Sequence, residues 1–217
     1  WFSDRRNSTV SEIAEQLAYR EENRKRAAQF CTTRSYGERW KLLLDEDHRW
    51  FTVTRSRDME EDNPDILDYT ALTGCRVDID ESSTELTRKN ADGKEESYNP
   101  PRYEYSYDFY ITIFINNPYF DEIRFQLNSS SVDITPPPAM RPGMMTRCNP
   151  ETNVEYRNYK KLSEEIQQVL TQVRRDVRKK IEQATAPKAA VACPYCGATT
   201  TPDANGCCEY CGGAVNG

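Results

Sequence analysis

The sequence predicts an α+β fold: an antiparallel curled sheet or small barrel, flanked by an N-terminal helix and a long C-terminal helix, with a small cysteine-rich module at the end. Three observations carry that prediction. From Tyr103 to Ile115 apolar and polar residues alternate, the period of a strand with one buried face. From Tyr159 to Ile181 apolar residues recur in steps of three and four, the period of a helix. Five of the eight cysteines crowd into residues 193–211, where they form two C-x-x-C pairs.

The elements follow in order. Residues 1–35 form an N-terminal helical segment. Within it Thr9 and Glu12 make the T-x-x-E capping box, which satisfies two free N–H groups, and Val10, Ile13, Leu17 and Ala27–Ala28 form a thin apolar stripe. Residues 36–184 form the β-rich core. "RWKLLLDEDHRWFTVTR" reads as a hairpin about an acidic turn, and a second hairpin folds about Asp92–Gly93, a dipeptide suited to positive φ. The strand over 103–115 follows, "NNP" at 116–118 turns the chain, and Ile123, Phe125 and Leu127 continue the alternation. Several short antiparallel strands sharing one apolar face imply a curled or closed sheet.

A Pro-rich connector at 135–148 leads to the long helix at 149–184, with Asn149 as cap and Pro150 in the first turn. Its stripe is Tyr159, Leu162, Ile166, Val169, Leu170, Val173, Val177 and Ile181. A small-residue linker at 185–192 joins it to the cysteine module, 193–217.

The chain of 217 residues suits one sizeable core plus a small module. Its net charge of −6 argues against long-range attraction of the whole molecule to polyanions. Residues 1–156 hold 20 basic against 29 acidic side chains, whereas 157–182 hold 8 against 4, so a polyanion contact would be local to the helix. The longest strongly apolar run, "FYITIFI", falls far short of the ~20 residues that span a bilayer. No secretory signal pattern is visible, and the start at Trp1 points to a processed form or a fragment. Clustered C-x-x-C pairs beside the isolated Cys31, Cys75 and Cys148 fit a reducing compartment, and the expected location is cytoplasmic.

"CPYCGA" and "CEYCGG" repeat one knuckle, with eleven residues between the C-x-x-C pairs. The two-residue gap turns both sulfurs of a knuckle toward one ion, and Gly197 and Gly212 suit the positive φ that closes such a turn. Two knuckles joined by a hairpin bring four thiolates to the ~2.3 Å tetrahedron of zinc. "PDANG" supplies the turn midway. Taking Cys207 as a ligand would give C-x-x-x-C and break the match between knuckles. The segment resembles the short zinc ribbons appended to many bacterial proteins, in which the position before the third Cys is often aromatic or apolar. That resemblance makes Cys207 a small buried hydrophobe and Cys193, Cys196, Cys208 and Cys211 the ligands of one structural Zn2+. Two disulfides or a dithiol redox site are the alternatives. A four-thiolate site is closed, without the open position of a catalytic zinc, so the metal is expected to hold the fold.

Elsewhere the chain offers little chemistry. His48, the only histidine, stands on an acidic hairpin turn without a nucleophile motif, and reads as a surface turn residue. "DIDE" at 78–81 reads as a strand with Asp78 and Asp80 outward, and "MEEDNPD" at 59–65 as a solvated loop; neither has calcium-loop spacing. The Tyr/Phe ladder of 103–115 has no Arg or Lys between Arg102 and Arg124 to meet phosphates, so it reads as core rather than as a base-stacking face. No phosphate-binding glycine motif is present. "RRDVRKK" is the one basic run. Arg174, Arg175, Arg178, Lys179 and Lys180 there suit a helix C-terminus, or contact a polyanion.

The stretches "WFSDRRNSTVSEIAEQLAYREENRKRAAQF", "NPDILDYTALTGCRVDIDE", "NPPRYEYSYDFYITIFINNPYFDEIRFQLN" and "CPYCGATTTPDANGCCEYCGG" resemble a group of uncharacterised bacterial proteins. Members of that group begin with a short Cys-rich domain, which by this resemblance ends near Trp1 and is absent here. The central part also resembles bacterial pleckstrin-homology-like domains, whose last helix plugs a barrel. The resemblance implies an interaction scaffold and brings no catalytic residue. The expected function is a non-enzymatic zinc-binding adaptor with another protein as partner. Binding of a membrane surface or nucleic acid through the basic helix is the alternative, and an enzyme of unrecognised type the third. No small-molecule substrate is evident.

Overall fold

The computed structural model describes residues 9–56, 58–137, 148–185, 190–203 and 206–215. Most of the Pro-rich connector, part of the linker and two residues of "PDANG" lie outside the described residues. The chain divides into two compact units, Trp1–Arg175 and Asp176–Gly217.

In the first unit, helix α1 (Val10–Gln29) starts with the expected capping box: the Thr9 N–H donates to Glu12 Oε2 at 2.7 Å and the Glu12 N–H to Thr9 Oγ1 at 3.3 Å. It buries only part of its apolar stripe. Val10 and Leu17 are exposed, and the buried residues are Asn23 and Ala27. Asn23 Nδ2 donates to Asn63 Oδ1 at 2.6 Å and to Pro64 O at 2.7 Å, while Asn23 Oδ1 accepts from the Ile66 N–H at 2.8 Å. The helix therefore docks by satisfying the polar backbone of the 63–66 segment. The 59–65 stretch, expected as a solvated loop, is a short helix α2 (Met59–Asp62) followed by the buried Asn63.

Strands β1 (Arg34–Tyr36), β2 (Lys41–Asp45), β3 (Trp50–Thr54) and β4 (Leu67–Asp68) form one antiparallel sheet in sequence order. A 3-10 turn, Tyr69–Ala71, carries the chain into a second antiparallel sheet of β5 (Leu72–Lys89), β6 (Glu95–Ile115), β7 (Glu122–Gln126) and β8 (Val132–Ile134). β5 and β6 make one long hairpin, turned at Gly93 with φ of 76°. β7 and β8 both pair with β6, at Tyr110–Phe114 and Tyr105–Tyr107. The buried Asn128 fills the gap between them: Oδ1 accepts from the Phe109 N–H at 2.9 Å and Nδ2 donates to Tyr107 O at 3.2 Å.

The barrel alternative is corrected. Among the described residues no ladder joins the two sheets, because β4 is only two residues long and the 3-10 turn rotates the chain out of the first sheet before β5 begins.

The long helix starts in two steps. Asn149 caps a 3-10 turn, Pro150–Thr152, and α3 (Val154–Thr185) begins beyond it, where Asn153 Oδ1 accepts from the Tyr156 N–H at 3.0 Å. Tyr156 packs edge-on against Tyr107 and Phe109, with ring centroids 5.0 and 5.2 Å apart. Tyr159 Oη donates to Glu38 Oε1 at 2.9 Å. Ile166 and Leu170 are fully buried, with Phe51, Phe109, Ile111, Ile113, Leu127 and Val132. The Tyr/Phe ladder thus serves the core from Tyr107 onward, and Tyr103 and Tyr105 are half-buried.

Candidate metal centre

The second unit contains two hydrogen-bonded knuckles related by a shift of fifteen residues. In the first, the Cys193 N–H donates to Ala198 O at 2.8 Å and the Gly197 N–H to Cys193 O at 2.9 Å. In the second, the Cys208 N–H donates to Gly213 O at 2.8 Å and the Gly212 N–H to Cys208 O at 2.8 Å. Gly197 and Gly212 have φ of 70° and 68°, where a Cβ would be strained. The repeat extends into the flanking strands. β9 (Val191–Ala192) pairs with β10 (Thr199–Thr200), setting Ala192 opposite Thr199, and fifteen residues later Cys207 bridges Ala214. The Tyr195 ring lies against Gly213, so close that a Cβ there would fall 2.7 Å from Cδ2.

This architecture brings the sulfurs of Cys193, Cys196, Cys208 and Cys211 within 4.8 Å of one another, a group that can hold a metal ion. Cys193 Sγ and Cys211 Sγ are 3.6 Å apart, and Cys196 Sγ and Cys208 Sγ 3.8 Å. A tetrahedron with bonds of ~2.3 Å has edges of about 3.8 Å, so these two edges match a four-thiolate site. All four are free thiols, at separations far beyond the ~2.05 Å of a disulfide. Cys193 and Cys208 are buried and form a small cluster with Val215, against which Val191 packs, whereas Cys196 and Cys211 are exposed.

The electrostatics of the cluster suit a cation. Backbone N–H groups of Cys196 and Tyr195 hold the Cys193 thiol below its ordinary value, against the effect of burial. Burial raises Cys208, but the N–H groups of Cys211 and Tyr210 and the neighbouring thiols outweigh it and bring Cys208 to about 6. For Cys211 the Gly213 N–H works downward, yet the sulfurs of Cys193, Cys196 and Cys208 dominate and push it up to about 12. Four thiolates at this spacing repel one another, and a divalent cation removes that conflict.

Cys207 is not in the cluster, as expected, but it is half-buried rather than buried. It occupies the strand position equivalent to Ala192, its N–H donates to Asp203 Oδ1 at 2.8 Å, and the apolar packing falls to Val215.

The other expected positions are dispersed. Asp78 pairs with Arg76 and Asp80 with Arg124, both as surface ion pairs. Arg174, Arg175, Arg178, Lys179 and Lys180 are exposed along α3. His48 does lie in a turn, but its Nδ1 is 2.8 Å from Oδ2 of Asp45 and its ring stacks on Trp50. Asp45, missed in the sequence, is completely buried at the end of β2. It also accepts from the backbone N–H groups of Cys31 and His48. Nothing in a Leu-Leu-Leu-Asp run marks that carboxylate as buried. Among the described residues no helix is long and apolar enough to cross a membrane. Compared with family models, with curated proteins and with solved structures, the chain shows no significant match.

Proposed function

We propose that the chain is a non-catalytic zinc-binding interaction protein, an adaptor in which one Zn2+ held by Cys193, Cys196, Cys208 and Cys211 is structural. The observation that carries this reading is the mutual approach of the four sulfurs within 4.8 Å. Four soft thiolates in a tetrahedron suit zinc and leave no position for water or substrate, so the ion's task is to hold the knuckles. The cluster of Cys193, Cys208, Val191 and Val215 is too small to fold the segment alone, and metal binding supplies the folding free energy. The test is metal analysis of protein purified under reductant. One zinc per chain is expected, with affinity lost in Cys208→Ser; absence of stoichiometric zinc, or full affinity in the variant, overturns the assignment.

The adaptor role is tested by pull-down with the whole chain beside a deletion of residues 186–217. Recovery of the same proteins from both would mean that the ribbon is not the recognition element. The exposure of all five basic residues between Arg174 and Lys180 favours a second reading, contact with an anionic membrane surface or nucleic acid. Such binding weakens steeply with added salt, whereas a mainly apolar protein contact does not.

A further inference from the structure

The four clustered sulfurs differ in their surroundings. Cys193 and Cys208 are buried, and two backbone N–H groups point at each: those of Tyr195 and Cys196 at Cys193, those of Tyr210 and Cys211 at Cys208. Cys196 and Cys211 are exposed, although the Gly213 N–H also points at Cys211. A thiolate open to solvent is the one an oxidant reaches, whereas burial shields the other two and their N–H donors blunt them as nucleophiles.

The contacts between sulfurs run from one knuckle to the other. Cys211 Sγ lies 3.6 Å from Cys193 Sγ and Cys196 Sγ lies 3.8 Å from Cys208 Sγ. Each contact therefore joins an exposed sulfur of one knuckle to a buried sulfur of its neighbour. Disulfide formation needs that pairing: an outer sulfur for the oxidant, and an inner one already against it to displace the oxygen. Two bonds made this way cross between the knuckles, as a shared ion does. Bonds within each C-x-x-C would close each knuckle on itself and leave the two unjoined.

We infer that the cluster is also a site of reversible oxidation, at which a hydroperoxide converts the four thiolates to two cross-knuckle disulfides, Cys193–Cys211 and Cys196–Cys208, and the zinc is given up. The inference rests on the proposed zinc centre for the ion released, and on the sulfur contacts alone for the pairing. With hydrogen peroxide, the Cys211 thiolate attacks one oxygen, the O–O bond breaks, and a sulfenic acid forms as hydroxide departs. The Cys193 thiolate then attacks that sulfur, the S–S bond forms, and a second hydroxide departs. Two thiolates lose two electrons and one peroxide gains them. Cys196 and Cys208 repeat the sequence with a second peroxide. No thiolate remains to hold the ion, yet the knuckles stay joined.

The test treats the full, zinc-loaded chain with hydrogen peroxide, follows zinc with a chromogenic chelator and locates disulfides by peptide mass mapping. Complete release is expected with about two peroxides consumed per chain, together with Cys193–Cys211 and Cys196–Cys208 peptides. Dithiothreitol is expected to restore zinc binding, and the oxidised chain to keep amide protection from Cys193 to Val215. Zinc retained at about 1 mM peroxide overturns the inference, as do disulfides within either C-x-x-C or sulfinic acids that dithiothreitol does not reverse. Loss of that protection on oxidation overturns it too. Cys207→Ser, which leaves the cluster intact, is expected to change neither release nor map; a map that changes means that Cys207 takes part and overturns the pairing. A purified chain without zinc would defeat the metal reading instead, and the disulfide map of its peroxide-treated thiols would still decide the pairing.

Discussion

In residues 191–215 the buried cluster consists of Cys193, Cys208 and Val215 with Val191 beside it, whereas the sheets and α3 bury Phe51, Phe109, Ile111, Ile113, Leu127, Ile166 and Leu170 almost completely. One region closes around four sulfur atoms, the other around interlocking side chains drawn from two sheets and a helix. The difference shows what a short segment lacks. It can order its backbone through paired turns, but it has too little apolar surface to offset the entropy of doing so. The sheets and α3 have that surface and need no ion.

The largest expected effect comes from removing the metal. Apparent binding free energies of structural zinc run to about 10–16 kcal/mol, so chelation or Cys208→Ser is expected to unfold 191–215. Amide exchange would then show lost protection from Cys193 to Val215 and unchanged protection in β6; simultaneous loss in both would break the comparison. Next is the converse substitution. Phe109→Ala removes a fully buried ring and is expected to cost the first unit about 3–5 kcal/mol in denaturant unfolding, with zinc affinity unaltered. A parallel fall in zinc affinity would mean that the two regions fold as one.

Asn23→Ala is expected to cost about 1–3 kcal/mol, because it takes away the Asn23 partner of the buried Ile66 N–H and of Asn63 Oδ1. Its mark should be faster exchange in α1 rather than a general loss. The smallest effect is in acid. Burial opposes ionisation of Asp45, but the N–H groups of His48 and Cys31 and the His48 ring together hold it below its ordinary value of 3.8. Its contribution is therefore present above about pH 4 and lost as pH falls through the depressed value, and Asp45→Asn should remove that part of the acid dependence. The metal centre is expected to let go at higher pH, when its thiolates protonate, so an acid titration followed by circular dichroism and zinc release separates the two regions. Coincident transitions would sink that distinction.

Where a period or spacing repeats, the reading from sequence holds. The strand about Ile111, the hairpins at 46–49 and Asp92–Gly93, the capping box at Thr9 and the clustering of four sulfurs are all local patterns. Where the reading fails, a side chain is used at long range. Asn23 and Asn63 lie forty residues apart, so no local signal could show that α1 docks by amides while Val10 and Leu17 stay exposed. Asp45 sits in a turn-like acidic run whose burial depends on Cys31 approaching from outside the hairpin. The role of Cys207 emerged only from its pairing with Ala214, which the spacing of cysteines does not contain.

By itself the sequence determined the class of the main strands and the two long helices and the identity of the four clustered sulfurs, because hydrophobic period, turn chemistry and ligand spacing act over a few residues. Only the tertiary structure decided that the sheets stay open, that α1 docks through a polar contact, and that Asp45 is buried beneath the Cys31 and His48 N–H groups. Those outcomes depend on which distant surfaces meet, and burial and electrostatic pairing are properties of the meeting rather than of either partner.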